Sequence, residues 1–189
     1  METASNKKVL TVALMGVFIA LCYVGTMINI QMPTPVGKTM IHFGNIFCLL
    51  AAMFLGGWKG GVCGSIGMGL YDFTSPGYQL YVPETLVLKF FIGLICGLVF
   101  SKLSKTKLPR AAQAAIACIC GMLFNVIFNP LASYITHQYL LGTGYTVADI
   151  MAKWTSVTTS INALIAVIAA TLLYLALYPA LKNILAKLK

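Results

Sequence analysis

Lys89 lies six residues past Pro83, about 9 Å along a helix at 1.5 Å per residue, and Phe90, Phe91 and Ile92 follow it. A charge at that depth in an apolar segment is costly and faces a cavity or a partner. It could give a ligand a hydrogen-bond donor or a positive charge. The plainer reading is an ion pair with Asp72 that ties two helices together. Asp72 ends an apolar segment beside a loop and is a candidate alone or paired with Lys89. Glu84 is five residues from Lys89, which predicts a different helix face. A carboxylate in a first helical turn is also stabilised by the helix N-terminus without any ligand.

Amides and aromatics form a second set. Asn125 and Asn129 are four apart, and Trp154, Thr158 and Asn162 repeat that spacing. Polar stripes in apolar helices suggest an interior site, with Trp154 as a stacking plane and Asn129 as a donor–acceptor pair. Interhelical hydrogen bonding is the rival explanation, strongest for Asn162. Tyr71, Tyr78, Gln79 and Tyr81 sit in or beside a loop, where tyrosines commonly form an interfacial belt. His42 and His137 are not spaced as a metal pair. No Ser-His-Asp set, paired carboxylate, phosphate loop or metal cluster is visible, so neither enzyme activity nor a cofactor is expected. Cys22, Cys48, Cys63, Cys96, Cys118 and Cys120 lie in apolar segments without a CxxC pair, as buried thiols do.

The elements that must position these residues are membrane helices. Of 189 residues, 59% are hydrophobic and 9% charged, against about 25% charged in soluble domains. Val9–Gly37, Ala111–Ala148 and Trp154–Leu181 carry no charge, and each exceeds the roughly 20 residues a spanning helix needs. Val9–Ile30 is too long for a signal segment. Six helices are predicted: Val9–Ile30, Ile41–Leu55, Gly60–Tyr71, Pro83–Ser101, Ala111–Tyr134 with a kink at Pro130, and Val147–Tyr178 behind a Thr146-x-x-Asp149 capping box. Together they make an all-α integral membrane protein with one domain over residues 1–189.

The net charge of +9 comes from clusters rather than a nucleic-acid face. Lys7, Lys8, Lys59, Lys102, Lys105, Lys107, Arg110, Lys182, Lys187 and Lys189 fall on one side, and Lys38, Lys89 and Lys153 on or near the other. The positive-inside rule then puts both termini in the cytoplasm. The brevity of the third helix predicts an outer cavity lidded by the loops Gln31–Met40 and Phe73–Val82; the alternative is a helix extending through Lys59 and Asp72. Ala13, Gly16 and Ala20 share one side of the first helix, and Gly60-x-x-x-Gly64 and Gly61-x-x-x-Ser65-x-x-x-Gly69 mark the third as tightly packed.

The stretches Ile41-His42-Phe43-Gly44-Asn45-Ile46, Leu55-Gly56-Gly57-Trp58-Lys59-Gly60, Asp72-Phe73-Thr74-Ser75-Pro76-Gly77 and Lys89-Phe90-Phe91-Ile92-Gly93-Leu94 resemble the substrate-binding S component of an energy-coupling factor (ECF) vitamin transporter, in its riboflavin-transporter-like branch. The resemblance implies a multi-pass cell-membrane subunit of an ABC-type importer that captures a vitamin on the outer side. It implies partners as well, a transmembrane coupling subunit and a pair of ATPases. It places Lys89, Glu84, Asn129, Trp154 and Asn162 at the site, with Asp72, Tyr81 and His42 as further candidates. The family's helix-one Ala-x-x-x-Ala contact is matched loosely, because Val17 stands four residues after Ala13; Gly16 and Ala20 are the substitute. Vitamin B6 or hydroxymethylpyrimidine is the first substrate expectation, with riboflavin and pantothenate open. A structural or scaffold membrane subunit is the alternative.

Overall fold

The computed structural model describes residues 4–34 and 37–186; Pro35 in the first loop, and Lys187 and Lys189 among the clustered cations, lie outside the described residues. The chain runs α1 (Ala4–Met27), β1 (Asn29–Pro33), β2 (Lys38–His42), α2 (Gly44–Leu55), α3 (Gly57–Thr74), α4 (Val82–Leu103), α5 (Arg110–Ile135) and α6 (Tyr145–Ala186). Six membrane-spanning helices were expected; six α-helices are found among the described residues, four of them in stretches long and apolar enough to span. The segment expected as a loop at 31–40 is instead part of an antiparallel hairpin, with Asn29 opposite His42 and Pro33 opposite Lys38. The two prolines suggested a loop, but β1 is an edge strand of a two-stranded sheet, where a proline such as Pro33 is tolerated.

α2 is the hub. Eleven of its twelve residues are buried, and it packs against α1, α3, α4 and α6. A helix apolar on all sides has to be enclosed in this way. At about 18 Å it is too short to cross a bilayer by itself. Gly56, at φ 93°, turns the chain straight from α2 into α3, a backbone conformation that favours glycine.

α3 is 18 residues long, not twelve, so the reading in which it extends through Lys59 and Asp72 is the one found. Its glycines are its packing surface. A Cβ on Gly60 would lie 2.3 Å from the Ala52 Cα of α2, and one on Gly61 would lie 2.5 Å from the Phe90 carbonyl of α4. α4 answers with Gly93 and Gly97, whose Cβ positions fall 2.4 and 2.3 Å from Gly61 and Gly57 backbone atoms. Backbones in direct contact stabilise helix pairs in lipid, where apolar burial gives no driving force.

The ends of α5 and α6 also differ from expectation. α5 passes through Pro130 and continues into a π turn, Thr136–Leu140, closed by Leu141 N–H donating to the Thr136 carbonyl at 2.9 Å. α6 starts before the expected capping box, so Thr146 lies inside the helix, and Asp149 pairs with Lys153 at 2.7 Å instead. α6 also runs on through Pro179 to Ala186.

Four helical stretches are long and apolar enough to cross a membrane: Asn6–Met27, Gln79–Leu103, Arg110–Leu140 and Tyr145–Ala186. Their outer faces carry exposed Val12, Val17, Leu98, Leu123, Ile127, Leu164 and Leu172, the surface that lipid rather than water would solvate. The architecture is that of an all-α, multi-pass membrane protein with a small hairpin at one end.

Candidate functional site

At the hairpin end, all six helices and β2 surround a cavity with about 730 Å³ of space between its atoms, its mouth included. Each element delivers polar groups through its own periodicity. On α5, Asn125, Asn129 and Ser133 follow a four-residue repeat, as the sequence suggested for the first two. On α6, the lining positions are Met151, Thr155, Thr159 and Asn162. α4 supplies Glu84, Thr85 and Lys89; α3 supplies Met68 and Asp72; α2 supplies Asn45 from its first turn; and α1 supplies Thr26. Tyr78 and Tyr81 come from the short helical turn before α4, and Lys38, Thr39, Met40 and His42 from β2.

Seven of the residues proposed from sequence therefore come together: Lys89, Asn129, Glu84, Asp72, Asn162, Tyr81 and His42. Glu84 and Lys89 share the cavity although five residues separate them. That spacing is about 140° around a helix, and a cavity this wide takes in both directions. Trp154 does not join them. It is half-buried outside the lining, because the α6 stripe runs through Thr155 and Thr159, one helical step of 100° away. His137 is buried in the π turn and outside the lining.

The side chains divide into those already satisfied and those that are not. Asp72 accepts a hydrogen bond from the Thr85 hydroxyl, and Glu84 accepts one from Thr136 at 3.0 Å. Asn162 accepts the His42 backbone N–H and donates to the Met40 carbonyl, both at 3.0 Å, so its amide holds β2 against α6. Asn129 donates to Thr159 at 2.6 Å, and Ser133 and Thr155 share a hydrogen bond at 3.1 Å. Tyr81 and His137 Nε2 lie 2.9 Å apart, and Tyr78 donates to Gln31 at 2.8 Å, which joins the turn before α4 to α5 and to the hairpin. His42 Nδ1 accepts the Gly44 N–H at 3.2 Å. Burial, and then the Lys89 charge, pull this imidazole down to about 3, so it is neutral with its proton on Nε2.

Three groups are left over. The Lys89 ammonium forms no ion pair or hydrogen bond among the described residues, so the expected structural pair with Asp72 is not present. Asn45 is 1% exposed, and neither its amide nitrogen nor its oxygen has a partner; the Asn125 oxygen is in the same condition. Buried polar groups in native proteins are nearly always paired, and an orphan costs about 1–3 kcal/mol. Three such groups, from α2, α4 and α5, lining the same cavity are a prepared set of donors and acceptors.

Asn45 escaped the search for candidates. It stands alone in a run of apolar residues, and a lone asparagine has no periodic signal; its place directly after Gly44, opening an all-apolar helix, was the only hint. Thr155 and Thr159 were hidden among the many Ser and Thr residues of α6. Ala13, Gly16 and Ala20 form an exposed strip on α1, away from the cavity, and nothing lies within 4 Å of a Cβ placed on Gly16.

Comparison with known proteins adds three findings. The "Uncharacterized protein in gap 3'region" of Pyrococcus woesei is 37% identical over 72 residues, which are 38% of this chain; the chain spans about half (47%) of that relative's length. No solved structure gives a significant match. The family model for the ECF-type riboflavin transporter, S component, matches residues 6–179, and the chain belongs to that family of membrane-embedded, substrate-binding subunits of vitamin transporters, which is not an enzyme family.

Proposed function

We propose that this chain captures a flat, polar-edged vitamin from the outer side of the cell membrane in the cavity between Lys89, Asn45, Asn125 and Asn129. The observation that carries the reading is that three helices each bring a polar group without a partner to one cavity: Asn45 from α2, Lys89 from α4 and Asn125 from α5. Lys89 donates to a carbonyl or another acceptor on the ring edge, and the two amides offer both donors and acceptors. Glu84 and Asp72, oriented by Thr136 and Thr85, add acceptor oxygens to the lining. The family's name favours riboflavin over the pyridine and pyrimidine vitamins that the side-chain inventory first suggested. Titrating the purified chain in detergent with riboflavin, pyridoxine, hydroxymethylpyrimidine and pantothenate tests this. Tight binding of one of them is the expected result, and binding of none overturns the reading in favour of a scaffold subunit.

The chain works in this proposal as one domain of six membrane segments with both termini cytoplasmic. α2, apolar but too short to span alone, and the glycine-rich α3 together make up the remaining two segments, and the ten-to-three division of basic residues supports the orientation. Labelling that reached Lys105 from outside the cell would reverse it. A transmembrane coupling subunit and a pair of ATPases supply the energy, and the exposed Ala13–Gly16–Ala20 strip docks the coupling subunit. Gly16→Leu should impair assembly and uptake while vitamin binding by the isolated chain stays intact. Equal loss of both would assign the strip to internal packing.

A further inference from the structure

The opposite end of the bundle holds a second cavity, with about 1480 Å³ of space between its atoms, its mouth included. Its lining is mixed: Met53, Phe54 and Leu55 of α2 and Phe100 of α4 give an apolar floor, and Ser101, Ser104 and Gln113 add polar groups. Its rim is cationic. Lys59 enters from α3 and Arg110 from the start of α5. Neither forms an ion pair among the described residues; the Arg110 guanidinium lies over the Tyr178 ring at 4.0 Å, which fixes it at the mouth. The three carboxylates among the described residues, Asp72, Glu84 and Asp149, all belong to the other end, at the close of α3 or the start of α4 and α6. Among the described residues no carboxylate at this end offsets these two cations.

We propose that this cavity binds one anionic phospholipid, with its phosphate between Lys59 and Arg110 and an acyl chain on the Met53–Phe54–Phe100 floor. A soluble anion would use the rim and leave the floor wet, and a zwitterionic lipid would bring a cation of its own beside Lys59 and Arg110; an amphiphile with net negative charge satisfies both rim and floor. Basic pockets between helices at the membrane surface favour such headgroups. Guanidinium and ammonium also divide the work, since arginine can grip phosphate through two N–H groups while lysine acts as a point charge. The site stands apart from the vitamin cavity and does not depend on what that cavity binds.

Native mass spectrometry of the full chain in detergent micelles tests the proposal. Phosphatidylglycerol and phosphatidylcholine with identical acyl chains are offered at equal mole fraction. Each basic residue near a headgroup contributes roughly five-fold, so retention of phosphatidylglycerol should exceed that of phosphatidylcholine on the order of twenty-fold. The double substitution Lys59→Gln with Arg110→Gln should bring that ratio near unity, and Lys59→Arg should preserve it. Lys102→Gln with Lys105→Gln, which removes two cations from the same end but not from the cavity, should also preserve it. Equal preference for the two lipids by the unmodified chain overturns the proposal whether or not the variants fold, because it shows that the cavity does not read the net charge of the headgroup. An equal fall in both double variants reduces the effect to diffuse attraction. Displacement of the lipid by glycerol 3-phosphate at matched concentration shows a soluble-anion site instead.

Discussion

The α3–α4 seam and the vitamin cavity are built by the same two helices with opposite chemistry. Along the seam, Gly57 and Gly61 meet Gly93 and Gly97 backbone to backbone, with no room for a single added carbon. At the hairpin end, the same helices present Met68, Asp72, Thr85 and Lys89 to open space. One region gains its stability from close contact and leaves nothing unpaired. The other keeps a lysine and two asparagines without partners beside a cavity. Stability and binding capacity are thus separated along the helix axis, so a substitution should move one property with little effect on the other.

The largest effect is expected in the seam. Gly93→Ala places a methyl group 2.4 Å from the Gly61 nitrogen, against backbone that cannot swing aside as a side chain would. About 3 kcal/mol of stability should be lost, the upper part of the usual range for overpacking, and thermal unfolding in detergent reads it. Gly16→Ala is the matched control, because that position has nothing within 4 Å and should melt as the parent does. A normal melting temperature for Gly93→Ala would show that the seam yields, and the contrast between the two regions would fail.

In the cavity the sign should invert. Lys89→Met removes a buried ammonium that has no partner, so the melting temperature should rise, while vitamin affinity falls by about 1.5–3 kcal/mol, the range for a hydrogen bond to a charged group. Ligand titration and unfolding of the same preparation measure both. Unchanged affinity together with a lowered melting temperature would return Lys89 to the structural role of an Asp72 partner. Asn45→Leu should behave alike on a smaller scale: about 1 kcal/mol of added stability from removing an orphaned amide, with weaker binding.

The sequence made the helices legible because lipid imposes a simple rule: long uncharged runs must be helical, and cations must gather on one side. It made most of the cavity legible because a charged or amide side chain in such a run needs a reason to be there, as Lys89, Asn125 and Asn129 do. Three parts were hidden for physical reasons. The hairpin depends on pairing between β1 and β2, and such contacts leave no local periodicity when prolines interrupt the run. The length of α3 was obscured because glycines that look like breaks in a soluble helix are here the contact surface. On α6 the expected stripe meets the cavity at Asn162 but misses it at Trp154 and Thr158, since a helix rich in Ser and Thr offers several overlapping polar stripes.

That last misjudgment yields the finest test of the comparison. Trp154 has the larger ring and was the natural stacking plane, whereas Thr155 is small and inconspicuous. The structure puts Thr155 on the cavity wall, 8% exposed and bonded to Ser133, and leaves Trp154 half-buried outside it. Trp154→Leu should therefore change vitamin affinity by less than about 0.5 kcal/mol, as substitutions away from a site usually do. Thr155→Val keeps the shape but removes the hydroxyl that meets Ser133, and should cost about 1 kcal/mol in stability or binding through the group left unpaired. Titration and unfolding of both variants decide between the two helix phases. A large loss of affinity from Trp154→Leu, with Thr155→Val silent, would mean that α6 rotates by one residue when the vitamin is bound, and the cavity wall would have to be redrawn through Trp154, Thr158 and Asn162.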